Sequence, residues 1–414
     1  MVSQLEIRQQ VESFEGAFEP AITQAIHNTA RAMVETSLKV QAGQKVLIWF
    51  DGPGLPLVKE MYHACMAKGA QVSFHRRDYE ADAVEIAQMT PDEIRAKFVE
   101  EKRLVDESDA ILLVRNPENP LAMDTLPPEL RSAYNQGRSE AHHRRLIDLK
   151  DGGVNWCLFL WPTQYEADKE GLSLPEYQKA YFEACNQPWE AIKKAQGKLK
   201  EKLDRANRIT LIANENEKDP MKRTHLSMSI EGMTFINSSI EKNYPGSEVF
   251  SAPVIDSVEG QVYADGEYIY DGHLMKNIYL KFEKGQVVEA RAEEGNVGLQ
   301  EILAQGKGAR YLGEIALGTN PGLRRRFFND LLNEKVGGSF HIAVGHCYEY
   351  KEADGQPVNV NNGNLEGEPP DKTPNHWDLT ILMHKGGRVI LDEEVIQENG
   401  IFLDPELAVL NPPN

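Results

Sequence analysis

Cysteine is scarce in this chain: its 414 residues hold four, Cys65, Cys157, Cys185 and Cys347. They are widely spaced and form no CxxC or CxxxC pair, which excludes a disulfide framework and a thiolate zinc site and fits a reducing compartment. Long apolar runs are lacking too. No stretch approaches the ~18 apolar residues of a membrane span, and the opening MVSQLEIRQQVESFEG has neither the basic start nor the apolar core of a signal peptide. The expectation is a cytoplasmic protein with no membrane partner. Positive charge is in deficit, with 45 Lys and Arg against 64 Asp and Glu and a net charge of −19. With no basic block to track a phosphate backbone, nucleic acid is excluded as a partner. Internal repeats and low-complexity tracts are absent, apart from a Gly/Asn/Pro-rich loop over 354–375.

What is present is an ordinary globular composition, 41% hydrophobic and 26% charged, in a chain long enough for two domains with real cores. Pro20 to Leu38 carries apolar residues at helical spacing, and Lys45-Val-Leu-Ile-Trp-Phe is a short apolar run bounded by turn residues. Leu55 to Lys68 reads as a second helix ended by Gly69. Thr90-Pro-Asp-Glu is a helix start, and Ala110-Ile-Leu-Leu-Val and Trp156-Cys-Leu-Phe-Leu-Trp are further buried strands. This alternation predicts a mainly parallel α/β sheet. Asp51-Gly-Pro-Gly lacks both GxGxxG spacing and a P-loop lysine, so it reads as a strand-to-helix turn and no nucleotide is expected. Trp189 to Asn207 is a Lys- and Ala-rich linking helix. Beyond it the texture changes to period-two alternation with Gly-containing turns, in His225-Leu-Ser-Met-Ser-Ile, Tyr279 to Arg291 and Arg388-Val-Ile-Leu-Asp. The predicted organisation is an α/β N-terminal domain over 1–207 and an α+β, β-rich C-terminal metal-binding domain over 208–414.

Candidate chemistry lies in the second half. In His376-Trp-Asp-Leu-Thr, alternate residues share a strand face, so His376 and Asp378 point one way while Trp377 and Leu379 point the other. Taken alone H-x-D is common, and a solvated strand face is the simpler account. In Ser339-Phe-His-Ile-Ala-Val-Gly, His341 shares its face with Ala343 and Gly345, which leave room for a ligand; for a single His, a core imidazole bonded to a backbone carbonyl is the simpler account. Tyr348 lies just past that strand, where a packed surface Tyr is equally in keeping. Glu314 sits inside the apolar run Tyr311-Leu-Gly-Glu-Ile-Ala-Leu, where an ionised carboxylate costs several kcal/mol unless paired or metal-bound. Glu248, after Tyr244-Pro-Gly-Ser, sits at a turn-to-strand junction, and Glu334, in Leu331-Leu-Asn-Glu-Lys, reads as solvent-exposed.

The segments Gly246-Ser-Glu-Val-Phe-Ser-Ala-Pro, Leu312-Gly-Glu-Ile-Ala-Leu, Phe340-His-Ile-Ala-Val-Gly through Tyr348, and His376-Trp-Asp resemble, in words and in order, the aminopeptidase T and aminopeptidase S family of metallopeptidases. Val40-Gln-Ala-Gly-Gln-Lys-Val-Leu-Ile and Leu172-Ser-Leu-Pro-Glu-Tyr resemble that family's N-terminal domain, so the likeness covers nearly the whole chain. The resemblance implies that Glu248, Glu314, His341, His376 and Asp378 are metal ligands, that Glu334 matches a further glutamate near the metals and is counted as a metal residue as well as a catalytic one, that Tyr348 lies in the active site, and that the chain forms a homodimer. Spacing around Glu334 departs from the family pattern, as do Met233 and the loop 349–375.

Two imidazoles with three or four carboxylates suit Zn, Co, Mn or Mg and are too many for one four-coordinate ion, so two divalent metal ions are expected. The implied reaction is hydrolysis of the N-terminal residue from peptide substrates with a free N-terminus. Attack by a water activated between the ions is expected, with Glu314 as the bridge, Glu334 or Glu314 shuttling the proton and Tyr348 holding the oxyanion. The alternative is a mononuclear iron(II) ring-cleaving dioxygenase of the dihydroxypyridine type, for which His341, His376 and Asp378 alone suffice. Glu248 and Glu314 discriminate, since only a second metal needs them. A non-catalytic binding module predicts no metal and no buried glutamate.

Overall fold

The computed structural model describes residues 3–413 apart from 17, 148, 350, 354 and 366–374. Much of the Gly/Asn/Pro-rich loop therefore lies outside the described residues. The chain divides into two compact units, one of residues 1–186 with 240–245 and the other of residues 187–239 with 246–414. Residues 187–207, expected with the first domain, thus belong to the second unit.

In the first unit the apolar run Lys45–Asp51 (β1) is buried at every residue after Lys45, as suits a strand covered on both faces. It lies in a parallel sheet with Gln71–Arg77 (β2), Ala110–Arg115 (β3) and Asn155–Leu160 (β4), in the order β2-β1-β3-β4, and the two-residue strand Asn243–Tyr244 extends the β4 edge. Helix α1 (Pro20–Ala32) and helix α2 (Leu55–Ala67) each begin with proline in the first turn, where its missing N–H costs nothing. Gly69, with φ +75°, turns the chain from α2 into β2. Beneath the sheet a buried ionic cluster forms around Glu101. Its carboxylate accepts hydrogen bonds from Arg77 at 2.5 Å and from His142, the last residue of helix α3 (Pro128–His142), at 2.9 Å.

The second unit opens with helix α4 (Trp189–Leu203), whose buried Trp189, Ile192, Ala195, Leu199 and Leu203 make one apolar stripe with the polar Gln196 buried among them. The rest is antiparallel. Strands β5 (Arg208–Ala213), β6 (Thr224–Ser229), β9 (Glu259–Tyr270), β10 (His273–Glu283), β11 (Gln286–Glu294), β15 (Arg388–Leu391), β16 (Glu394–Glu398) and β17 (Ile401–Phe402) form an eight-stranded sheet ordered β11-β10-β9-β6-β5-β15-β16-β17. A five-stranded sheet contains β7 (Ile236–Ser238), β8 (Glu248–Ser251), β12 (Leu312–Gly318), β13 (Ser339–Gly345) and β14 (His376–Leu382), ordered β14-β13-β12-β8-β7. All seven residues of β12 and of β13 are buried, so these are the central strands of that sheet. The architecture is a mainly parallel α/β unit followed by a β-rich antiparallel one. Among the described residues no helix is long and apolar enough to cross a membrane.

Candidate metal centre

The five-stranded sheet gathers the candidate residues by register. Across β12 and β13, Glu314 pairs with Ala343 and Ala316 with His341; across β13 and β14, His341 pairs with Thr380, Ala343 with Asp378 and Gly345 with His376. Glu248, at the start of β8, pairs with Gly318. Paired residues of an antiparallel sheet share a face, so Glu248, Glu314, His341, His376 and Asp378 lie on one face with mostly small residues between them. A bulge between Leu312 and Glu314 shifts the register. There Gly313 has no room for a Cβ, which would stand 2.1 Å from the His346 carbonyl oxygen.

The side chains converge. Glu314 Oε1 is 3.4 Å and Oε2 3.1 Å from the Nε2 atoms of His341 and His376 respectively, and Glu248 Oε2 is 3.4 Å from His341 Nε2. Asp378 Oδ1 stands 3.9 Å from His376 Nε2. Glu248, Glu314 and His341 are buried, at 6, 3 and 1% exposure. His376 Nδ1 lies 2.7 Å from the His346 carbonyl oxygen. That bond holds a proton on Nδ1 and turns Nε2 to the carboxylates, as the nitrogen that would ligate a metal once its own proton leaves. The His376 backbone N–H donates to the Tyr270 hydroxyl at 3.1 Å.

The electrostatics are those of a site short of positive charge. Burial raises the Asp378 carboxyl, and the nearby carboxylates of Glu334 and Glu314 help push it up to about 7. Burial likewise raises Glu248. Burial acts to lower the two imidazoles, but the surrounding carboxylates more than reverse it, bringing His341 to about 9 and His376 to about 10. Glu314 is also penalised by burial, yet the adjoining imidazoles hold it low, at about 2.

The donor set fits a divalent metal. Among the described residues, Glu248 Oε2, His376 Nε2 and Asp378 Oδ1 are buried without a hydrogen-bond partner, and orphaned buried polar atoms are uncommon in folded proteins. Among the described residues, two groups of ligand atoms, each within 4.8 Å of one another, can hold an ion: Glu248, Glu314 and His341, and Glu314, His376 and Asp378. Glu314 belongs to both. The chemistry is that of hard-to-intermediate oxygen and imidazole donors with no thiolate.

Tyr348 is half-buried beside the group, its ring 5.1 Å from that of His376 and 5.3 Å from that of Phe250. Glu334 is drawn in, its side chain only 20% exposed, where sequence pattern points to solvent. The cause is a residue that pattern does not single out. Lys335 is 1% exposed, and its ammonium donates to Glu248 Oε1 at 2.7 Å and to Glu334 Oε2 at 2.6 Å. A lysine following a glutamate near a helix end is ordinary surface sequence, so no local signal marks it.

The fold and this donor set define a metal-dependent enzyme. Residues 22–389 match the thermophilic metalloprotease family M29, and the chain belongs to that family. It is therefore a metallopeptidase, a hydrolase of peptide bonds with a divalent metal cofactor. Aminopeptidase AmpS of Bacillus subtilis (strain 168) is 24% identical over 387 residues, spanning 87% of this chain and 93% of the relative. Among solved structures, wild-type AmpT from Thermus thermophilus superposes with a TM-score of 0.71 at 22% identity, over 92% of this chain and all of that one. The 2,5-dihydroxypyridine dioxygenase of Pseudomonas putida KT2440 superposes at 0.55 and 14% identity, over 93% and 99% of the two chains. At such identities the two superpositions speak to the fold alone.

Proposed function

We propose that this chain is an aminopeptidase that removes the N-terminal residue from peptides, with two divalent ions, Zn, Co, Mn or Mg, that Glu248, Glu314, His341, His376 and Asp378 would hold. The observation that carries this reading is the pair of donor groups, Glu248, Glu314 and His341 on one side and Glu314, His376 and Asp378 on the other, with one carboxylate in common. The aminopeptidase relative supports the substrate class. Divalent ions held by these residues would supply a water of lowered pKa and would polarise the scissile carbonyl.

The chain's own residues do the rest. Glu334, half-buried at the edge of the group, moves the proton from the attacking water to the leaving amine. Tyr348 lies beside His376 and offers its hydroxyl to the developing oxyanion. His346 and Tyr270 orient His376 through its ring and backbone N–H groups. Four carboxylates in one place favour a substrate that enters with its free, positively charged α-amine first. The four cysteines are buried and none is joined in a disulfide among the described residues, which supports a reducing, cytoplasmic setting; a homodimer rests on family resemblance.

A single-iron dioxygenase shares the fold but leaves Glu248 and Glu314 without a task. The test is to supply purified protein with Zn, Co, Mn or Mg in turn and offer dipeptides and amino-acid p-nitroanilides alongside N-acetylated counterparts. Release of the first residue from the unblocked compounds alone is expected. Inertness with every ion, or equal cleavage of blocked peptides, overturns the reading; a single bound iron by anomalous scattering favours the dioxygenase.

A further inference from the structure

We propose that Lys335 is a built-in cation of the metal centre, a positioning residue that keeps Glu334 and one oxygen of Glu248 from ligating the ions and so makes the two ion sites unequal. The inference rests on the two-ion reading above.

Lysine is almost never fully buried unless paired, and an unpaired buried ammonium costs several kcal/mol. Among the described residues, Lys335 meets that requirement only with residues of the site, Glu248 Oε1 and Glu334 Oε2. Its backbone is fixed on both sides. The Lys335 N–H donates to the Leu332 carbonyl at 3.1 Å, and the Lys335 carbonyl accepts from the Asn320 N–H at 2.9 Å. The next turn is pinned as well, the Gly337 N–H bonding to Asn320 and Leu323, each at 3.0 Å. The segment runs against β12 at Gly318, where a Cβ would stand 2.2 Å from the Val336 carbonyl oxygen and 3.1 Å from that of Glu334. A single methyl at Gly318 would displace the lysine, so its position is set by the fold.

The Glu248 carboxylate is thereby split. Oε1 serves the ammonium, and Oε2, with no hydrogen-bond partner among the described residues, faces His341. Glu248 can offer an ion one oxygen, already polarised by a neighbouring positive charge. Glu334, its Oε2 held by the same ammonium, falls outside both groups able to hold an ion. The other group, Glu314, His376 and Asp378, has no such competitor at bonding distance among the described residues. The ion at Glu248, Glu314 and His341 is therefore the weaker of the two, repelled by a fixed cation, and the exchangeable one.

The test is titration of chelator-treated full-length protein with Co²⁺, followed by calorimetry and by the visible absorption of the ion. The wild type should bind two ions in separable steps. Lys335→Met should tighten the weaker step by roughly tenfold or more while leaving the stronger within a few-fold, and Lys335→Arg, which keeps the charge, should restore the wild-type gap. Glu334→Gln should change either step by no more than a few-fold, whereas loss of a ligand would cost more than the about 100-fold of an outer partner. A Lys335→Met protein whose weaker step is unchanged or weakened overturns the inference, as does a Glu334→Gln protein that loses an ion. If Lys335→Met does not fold, the Glu334→Gln titration decides. A wild type that binds no second ion instead overturns the two-ion reading, so the two failures are distinct.

Discussion

Glu314 Oε2 lies 3.1 Å from His376 Nε2, the shortest approach between an imidazole and a carboxylate in the group. Since Glu314 also faces His341 at 3.4 Å, one side chain joins the two halves of the donor set. A glutamine there keeps the shape and loses the charge and one oxygen lone-pair donor. Glu314→Gln should lower turnover by about three orders of magnitude or more and reduce the bound ions below two, with the circular dichroism spectrum unchanged. Full activity in that variant removes Glu314 from the mechanism.

The first unit should be acid-sensitive through His142. Burial, helped by Arg145 and Arg77 and opposed by the hydrogen bond to Glu101, pulls its imidazole down to about 3 from an ordinary 6.5. A group lowered on folding stabilises the fold fully above its unfolded pKa. Between pH 6.5 and 3 the unfolded chain takes up a proton that the folded one refuses, and stability falls by on the order of a few kcal/mol. Glu101, also held low against its own burial by His142, His75 and Arg77, adds to the loss below about pH 4.5. Melting temperatures between pH 7 and 3 check this: His142→Gln should start lower and decline less steeply from pH 6.5 to 4.5. Parallel curves for the two proteins would remove His142 as the cause.

Much of this was legible in sequence because the signals were local. The run Lys45 to Phe50 has the continuous apolar character of a strand buried on both faces, and it is one. The alternation in His376-Trp-Asp sets imidazole and carboxylate on the face opposite Trp377, which is 3% exposed. Glu314 stood out as a carboxylate in an apolar run. What stayed hidden depends on partners far along the chain. The stripe on α4 shows that the helix packs, without showing on what, so sequence alone places it with the α/β domain rather than with the second unit. Asn243–Tyr244 is too short to display a period, and only its pairing with Leu158 and Phe159 assigns it to the first sheet. Burial of Lys335 follows from the path of 334–337 past Gly318, and it draws in Glu334 against the pattern of its own neighbours.

Gln196 holds the strand that carries Glu248. It is fully buried, and its Nε2 lies 2.9 Å from Ser247 Oγ, 3.0 Å from Thr319 Oγ1 and 3.1 Å from the Glu248 carbonyl oxygen. Helix α4 is thereby tied to the start of β8 and the end of β12. Gln196→Ala removes the donor and opens a cavity, which should cost about 1–3 kcal/mol. Because the loosened strand bears a proposed ligand, ion affinity should fall too, by about tenfold. Thermal melts with and without added Zn measure both, and a variant with wild-type stability and affinity rules the tie out.

Stripping the metal should reveal a competition with protons. In chelator-treated protein the carboxylates are balanced by protons on the imidazoles, with His376 raised to about 10 and His341 to about 9. An imidazole ligates only after its proton leaves, so Zn binding must release protons, and the apparent affinity must rise with pH until about 9 to 10. The sign for stability is the reverse. A histidine raised on folding stabilises the stripped protein fully below its unfolded value near 6.5, and that share is lost as pH climbs through 9 to 10. Loaded protein, whose imidazoles hold ions in place of protons, should lack that alkaline decline. Zn titrations in buffers of different ionisation enthalpy count the protons released, and melts of stripped and loaded protein from pH 6 to 10 give the second comparison. Zn affinity that is flat from pH 6 to 9, with no proton release, would mean that the imidazoles of His341 and His376 are not the ligands.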